Sequence, residues 1–359
     1  MTNSEGILVR WLLEEEDPSV RYFALRDLLD RREDDPELQA ARAEIPNSKV
    51  ITKIFLKQKS GGYWEDPASP YLPKYKSSYW QIMTLGQLGI DRSDERVGNA
   101  CEYIFQFQLD EGGFTCHTQE TAVKEYEWLL KKGRRLPPRN EWVSHLVFEQ
   151  QLSCLTGNMV ATLTRLGYQN DSRLKRALKW LVKIQNQDGG WLCPYWKAHI
   201  RDKHGCFQGT ICSLEAFSEV KSGSLTEEMK ETIGKAAEFL LMHRLFKADH
   251  HNYKVIKESW LKLSFPWFSG YNILRGLDVL TKLDHVEDER LSDTVQLLLQ
   301  KRRQDGKWIL ENAPTGRMHA NIETVGKSSK WITLIALRVL KRLHKLDNEI
   351  LSVVDQQKT

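Results

Sequence analysis

Residues 179–210 read KWLVKIQNQDGGWLCPYWKAHIRDKHGCFQGT. Trp180, Leu181 and Ile184 recur at helical spacing among polar residues, so 179–187 is expected to be an amphipathic helix. Asp188-Gly189-Gly190 ends it, because glycine enters the left-handed conformation of a helix terminus without a Cβ penalty. Trp191 follows as an aromatic plug. A short polar loop comes next, and a more apolar helix starts near Cys206.

The same order of helix, Gly-aromatic turn, loop and apolar helix recurs along the chain. Residues 51–59 end in Ser60-Gly61-Gly62-Tyr63-Trp64 and lead to an apolar helix at 77–88. Residues 95–109 end in Glu111-Gly112-Gly113-Phe114. A polar insertion at 115–145, with a helix expected near 120–131, precedes the apolar helix 154–166. Residues 227–245 end in a degenerate turn at 247–253 and lead to 268–283. Residues 291–303 end in Gln304-Asp305-Gly306-Lys307-Trp308 and lead to 328–343. Upstream, Asp17-Pro18-Ser19 and Asp34-Asp35-Pro36 mark helix starts. Two alternating helix classes imply two concentric layers, with the apolar class inside and the amphipathic class facing water. About six such hairpins suit a closed ring. The expected fold is therefore all-α, an α/α toroid. Residues 1–46 flank or close the ring, 47–346 build it, and 347–359 form a C-terminal tail.

Composition narrows the function. The chain has 359 residues, 41% of them apolar, enough for a sizeable core. Lys and Arg number 52 against 48 Asp and Glu, and the signs are interspersed, which argues against a nucleic-acid binder with its basic stripe. The 12 tryptophans suit an apolar or cationic ligand as well as ordinary packing. The N-terminus lacks a signal peptide's apolar core, and no run approaches the roughly 18 apolar residues of a membrane span. A cytoplasmic protein is expected, with its six cysteines as thiols or metal ligands rather than disulfides.

The motif Gln-x-x-Asp-Gly-Gly-Trp at 185–191, with relatives at 58–64, 108–114 and 304–308, resembles the repeats of squalene cyclases and protein prenyltransferase β-subunits. The resemblance covers most of residues 50–345. It implies an α/α toroid, an isoprenoid or other apolar small molecule in a central cavity, and a protein partner subunit of the prenyltransferase kind. The Asp-x-Asp-Asp acid of squalene cyclases has no counterpart here, and Asp34-Asp35-Pro36-Glu37-Leu38 lacks the last acid of a magnesium-binding Asp-Asp-x-x-Asp. Asp91 and Asp94 sit in a surface-type loop. Prenyltransferases carry basic residues and then Asp-x-Cys between the Gly-Gly-aromatic turn and the next inner helix, where both Asp and Cys hold zinc. The matching positions here are Lys197, Arg201 and Lys203 for an anionic head group, then His204-x-Cys206.

Cys154, Cys193, His204 and Cys206 are thus the expected zinc ligands, since zinc favours thiolate and imidazole. Cys154 and Cys206 begin successive inner helices, which a ring places at one mouth; their alternative role is small core packing. Cys116-His117 is a second candidate pair, and Cys101 and Cys212 lie mid-helix as packing. Tyr79, Trp80, Asn158, Gln208, Tyr271, Lys330 and Trp331 stand at inner-helix starts and are expected to line the cavity; the alternative is capping and bonding between hairpins. Arg275, Lys327 and Lys330 could hold an anion; their alternative is solvated surface charge. Two functions follow: a prenyltransferase- or terpene-cyclase-like protein, zinc-dependent in the first form, or a non-catalytic binding or scaffold protein on the same fold. No catalytic residue is assigned.

Overall fold

The computed structural model describes residues 4–193, 203–314 and 316–345. Six helical hairpins follow one another. The outer helices are α1 (Ser4–Leu12), α3 (Pro36–Glu44) with α4 (Lys49–Phe55), α6 (Glu95–Phe105), α10 (Ser172–Lys183), α12 (Glu227–Met242) and α14 (Ser292–Gln300). The inner helices are α2 (Pro18–Phe23, prolonged by a π turn Ala24–Leu28), α5 (Ser78–Gln87), α9 (Ser153–Leu163), α11 (Phe207–Ser218), α13 (Ile273–Lys282) and α15 (Lys330–Arg342). Two further helices, α7 (Gln119–Lys131) and α8 (Arg139–Ser144), fill the insertion. A two-residue hairpin, Lys247–Ala248 with Lys254–Val255, replaces the degenerate fifth turn.

The inner helices form a closed circuit. α5 packs on α9, α9 on α11, α11 on α13, α13 on α15, and α15 on α2 and its π turn. The closest approach is α9 to α11, where a Cβ on Gly157 would stand 2.4 Å from the Cys212 backbone. Arg338 and Lys341 of α15 reach Asp27 and Asp30 beyond α2. Gly89, just past α5, lies against the Phe23 ring, and Arg42 pairs with Asp91 at 2.6 Å, which completes the ring. The inner helices are buried almost throughout, while the outer ones show one buried stripe, as the sequence pattern demands.

Each turn is a staple with a fixed register. Trp64, Trp191 and Trp308 donate their indole N–H to the carbonyls of Ile54, Leu181 and Leu298, ten residues earlier, at 2.8–2.9 Å. The backbone N–H of Trp64, Phe114, Trp191 and Trp308 donates to a hydroxyl in the first turn of the next inner helix: Ser78, Thr156, Thr210 and Thr333. Gln58, Gln108 and Gln185 each donate to a glycine carbonyl four residues on and to a carbonyl of the next outer helix. Those glycines must have no side chain. Gly189 has φ +85, and a Cβ there would meet the Lys235 carbonyl oxygen at 2.2 Å. The register also corrects the fourth copy. Arg302, not Gln304, stands six residues before Trp308 and donates to Gly306 O at 3.2 Å. At the degenerate turn His243 meets the carbonyl of Lys247, again four residues on, at 3.1 Å.

The sequence placed an inner helix at 268–283, but α13 starts only at Ile273. Asn272 caps it by accepting from Arg275 N. The preceding segment, 262–272, is a strap. Gln87 and Trp267 exchange bonds at 2.6 and 2.8 Å. α5 and α13 stand opposite each other in the six-helix circuit, so these bonds carry the strap across the ring's axis.

Candidate functional site

The strap divides the ring into two ends. At the C-terminal ends of the inner helices lies a cavity of about 820 Å³. Its apolar wall comes from α2, α15 and the strap. Phe265 stacks on Trp331 at 4.4 Å and 10°, Phe23 meets Trp331 edge-on at 5.8 Å, and Trp267 and Ile335 continue the surface. The indole nitrogens of Trp267 and Trp331 are buried without an acceptor.

Eleven of the other lining residues are charged. Arg26, Arg42, Arg92, Arg165, Lys282, Arg338 and Arg342 face Asp27, Asp91, Glu219 and Asp278. Seven cations against four carboxylates leave this mouth net positive. Every one of these acids is paired. Arg338 bridges Asp278 at 2.7 Å and Asp27 at 2.9 Å, Arg342 also reaches Asp278, and Arg165 and Lys282 each hold Glu219 at 2.7 Å. Burial alone would raise the Asp27 carboxyl, but Arg338 and Arg26 outweigh it and hold it at about 2. Asp91, Glu219 and Asp278 are likewise held below their usual range against the pull of burial. Arg92 is different: it is exposed, sits 5.3 Å from the Tyr168 ring, and has no carboxylate partner among the described residues.

The charges reach inward. Glu215 and Arg275 form a fully buried pair, with Arg165 on the other side of Glu215. Arg275 also donates to Asn158 Oδ1 at 3.0 Å and to backbone carbonyls of the strap. Coulombic attraction from both arginines keeps Glu215 below its usual range despite desolvation.

The N-terminal mouth is closed. Trp80, Tyr71, Tyr75 and the strap's Phe268 pack ring against ring at 5.0–5.4 Å. Most residues expected to line a cavity sit in this plug instead. Tyr79, Trp80, Asn158, Tyr271 and Arg275 are buried, and Gln208 is half-buried. Arg275 is consumed by Glu215, and Lys330 pairs with Glu14 at 2.7 Å beside the Trp11 ring. Trp331 does line the open cavity. The strap is the physical reason: it fills the axis one turn inside the inner-helix starts. Asp91, assigned to a surface-type loop, lines the open mouth.

Lys197 and Arg201 lie outside the described residues. Lys203 is exposed, and its carbonyl accepts from Asn186. Of the four expected zinc ligands, Cys193 and Cys206 come together, and the Cys193 thiol together with burial pushes the Cys206 thiol up. Burial likewise pushes up Cys154. His204 turns to the carbonyl of Gly205 at 2.8 Å and to the His243 ring at 5.5 Å. Among the described residues, no three His, Cys, Asp or Glu side chains gather as a metal-ligand set.

Two groups escaped the sequence reading. The cavity charges sit in the most apolar helices at one-turn spacing: Glu215/Glu219, Asp278/Lys282 and Arg338/Arg342. Charges that interrupt a buried helix are a readable signal. The other is Glu323, which accepts from the backbone N–H of Lys330 at 2.6 Å and Trp331 at 3.2 Å. Burial, against these bonds, pushes its carboxyl up to about 7.

No protein-family model matches the chain, and no curated protein matches it in sequence. Among solved structures, a protein from Actinoplanes is 14% identical, with 95% of this chain and 99% of that chain covered and a TM-score of 0.45. The type II terpene cyclase MstE from Scytonema is 14% identical over 96% of this chain and 99% of its own, with a TM-score of 0.45. Another MstE structure holds its substrate, geranylgeranyl dihydroxybenzoate. A glycosidase is 11% identical over 87% of this chain and 99% of its own, with a TM-score of 0.35. At these identities the likenesses assign no activity to this chain.

Proposed function

We propose that the chain binds an isoprenoid, or a comparable apolar chain ending in an anionic head, as a prenyltransferase- or terpene-cyclase-like protein. The observation that carries this is the composition of the open cavity. An aromatic wall of Phe23, Phe265, Trp267 and Trp331 faces a rim on which cations outnumber carboxylates. Aromatic faces take up an apolar body, and guanidinium groups grip carboxylate or phosphate oxygens. A pocket of this kind, apolar on one side with a few convergent polar groups, orients a ligand by its head.

A second reading rests on a different observation. All four cavity carboxylates are paired with basic side chains, so among the described residues this cavity offers no unpaired acid to protonate an alkene. That favours binding without cyclisation. Neither reading uses a metal.

Titration calorimetry with geranylgeranyl diphosphate and geranylgeraniol tests the proposal. The diphosphate should bind at least about tenfold more tightly than the alcohol, one lost charge-assisted bond being worth about 1.5 kcal/mol. Trp331→Ala should weaken both. Failure of both compounds to bind overturns the reading. Recovery of the diphosphate unchanged after incubation supports the non-catalytic form, and a new product supports the enzyme.

A further inference from the structure

The insertion breaks the repeat. α7 and α8, the latter prolonged by a π turn His145–Glu149, pack through Ala122, Val143 and Leu146, a small cluster separate from the main core. The outward side of this unit combines two unusual features. Trp128 is 57% exposed and Leu130 48%. Beside them, Lys131, Lys132, Arg134 and Arg135 are all exposed, and residues 128–139 include no acid.

Nearby charges on the same unit are matched: Lys124 pairs with Glu120, and Arg139 lies 3.7 Å from Glu127. Among the described residues, Lys131, Arg134 and Arg135 have no carboxylate partner, and the Lys132 ammonium sits 5.9 Å from the Trp128 ring. Gly133, at φ +72 with nothing within 4 Å of a Cβ, turns the chain at a tip that projects into solvent.

A single exposed apolar residue is ordinary. A tryptophan and a leucine beside four cations with no counter-charge are not. Indole settles at the boundary between hydrocarbon and water. Lysine and arginine lay their stems on apolar surface and keep their charge in the head-group layer. Polybasic segments are drawn to anionic lipid.

We propose that this tip docks on an anionic phospholipid surface. Trp128 and Leu130 enter the head-group boundary, and Lys131, Lys132, Arg134 and Arg135 meet lipid phosphates. A nucleic-acid strand would need several aromatic faces along a basic groove, whereas this tip offers a single ring, Trp128, and its cations are flanked by aliphatic Leu130 and Leu136. No described helix is long and apolar enough to cross a membrane, so the contact is peripheral. The insertion leads into the N-terminus of α9 and stands at the closed mouth; docking leaves the open cavity free.

Flotation of the full chain with vesicles tests this. One set is phosphatidylcholine alone; the other contains roughly a third phosphatidylserine. The protein should float with the anionic set only, and high salt should release it. Each cation contributes about a fivefold change in affinity, so Lys131→Gln, Lys132→Gln, Arg134→Gln and Arg135→Gln combined should cut binding by roughly two to three orders of magnitude. Trp128→Ala should cut it several-fold without changing the melting temperature. Equal recovery with both vesicle sets, no recovery with either, or wild-type binding by the quadruple variant overturns the proposal. So does tight binding of a single-stranded oligonucleotide that survives Trp128→Ala while vesicles are ignored.

Discussion

The two mouths of the ring are ends of the same six helices, yet they solve opposite problems. At the C-terminal mouth, charges stand on inner helices one turn apart and neutralise one another across a cavity. At the N-terminal mouth, aromatic rings and the strap fill the axis, and the polar groups there are caps. The difference teaches that ring position does not define a site here. What defines it is the segment laid across the axis, because that decides which end is left hollow.

The largest expected effect breaks the plug from beneath. Arg275→Met leaves Glu215 buried with one partner fewer and should cost about 4 kcal/mol, read as a urea midpoint shift. Arg275→Met combined with Glu215→Leu should recover much of it, since a well-packed apolar replacement is often neutral.

The next concerns pH, where the two mouths have opposite signs. The Glu323 carboxyl lies near 7 in the folded chain against an ordinary value of 4.5. Its contribution to stability is present below 4.5 and lost as pH rises through 7, up to about 3 kcal/mol. Glu323→Gln should flatten that slope. Asp27 lies near 2, below its ordinary 3.8. Its contribution is present above 3.8 and lost as pH falls through 2. Urea midpoints from pH 2 to pH 8, wild type against Glu323→Gln, separate the two; an unchanged slope in the variant removes Glu323 from the comparison.

At the open mouth the same kind of change should cost less. Arg338→Met leaves Asp278 with Arg342 and Asp27 with Arg26, and water can enter the cavity. A loss of about 2 kcal/mol is expected, half the Arg275 effect. Equal losses would show that both ends are equally dry. The smallest effect is on stability at Arg92. Arg92→Ala should change it by less than about 0.5 kcal/mol while weakening the prenyl diphosphate about tenfold, the signature of a binding residue.

The helix order and the turns were legible because they are local. Gln185, Gly189 and Trp191 occupy fixed offsets that the backbone geometry requires. In the fourth copy residue type points to Gln304, whereas the offset from Trp308 points to Arg302. The open cavity was not legible. Its lining comes from the far ends of helices whose starts had drawn attention, and Asp27, Asp278 and Arg338 meet only when the ring closes. The strap was hidden for another reason: Trp267 and Phe268 read as the entry to an apolar helix, and only the bonds to Gln87 reveal that the segment crosses the axis. The Cys193–Cys206 approach follows from adjacent turns, but His204 turns away toward His243, which spacing could not foretell.

The staples have a spectroscopic consequence. Trp64, Trp191 and Trp308 are fully buried, each with its indole N–H on a carbonyl ten residues back. They are three matched chromophores in three different hairpins, whereas Trp128 lies in water. A ring that opens all at once would shift the emission of the three together. One that unzips from a single hairpin would shift them in sequence, so variants that retain just one of the 12 tryptophans, at 64, 191 or 308, would time the opening of each sector by when its emission shifts.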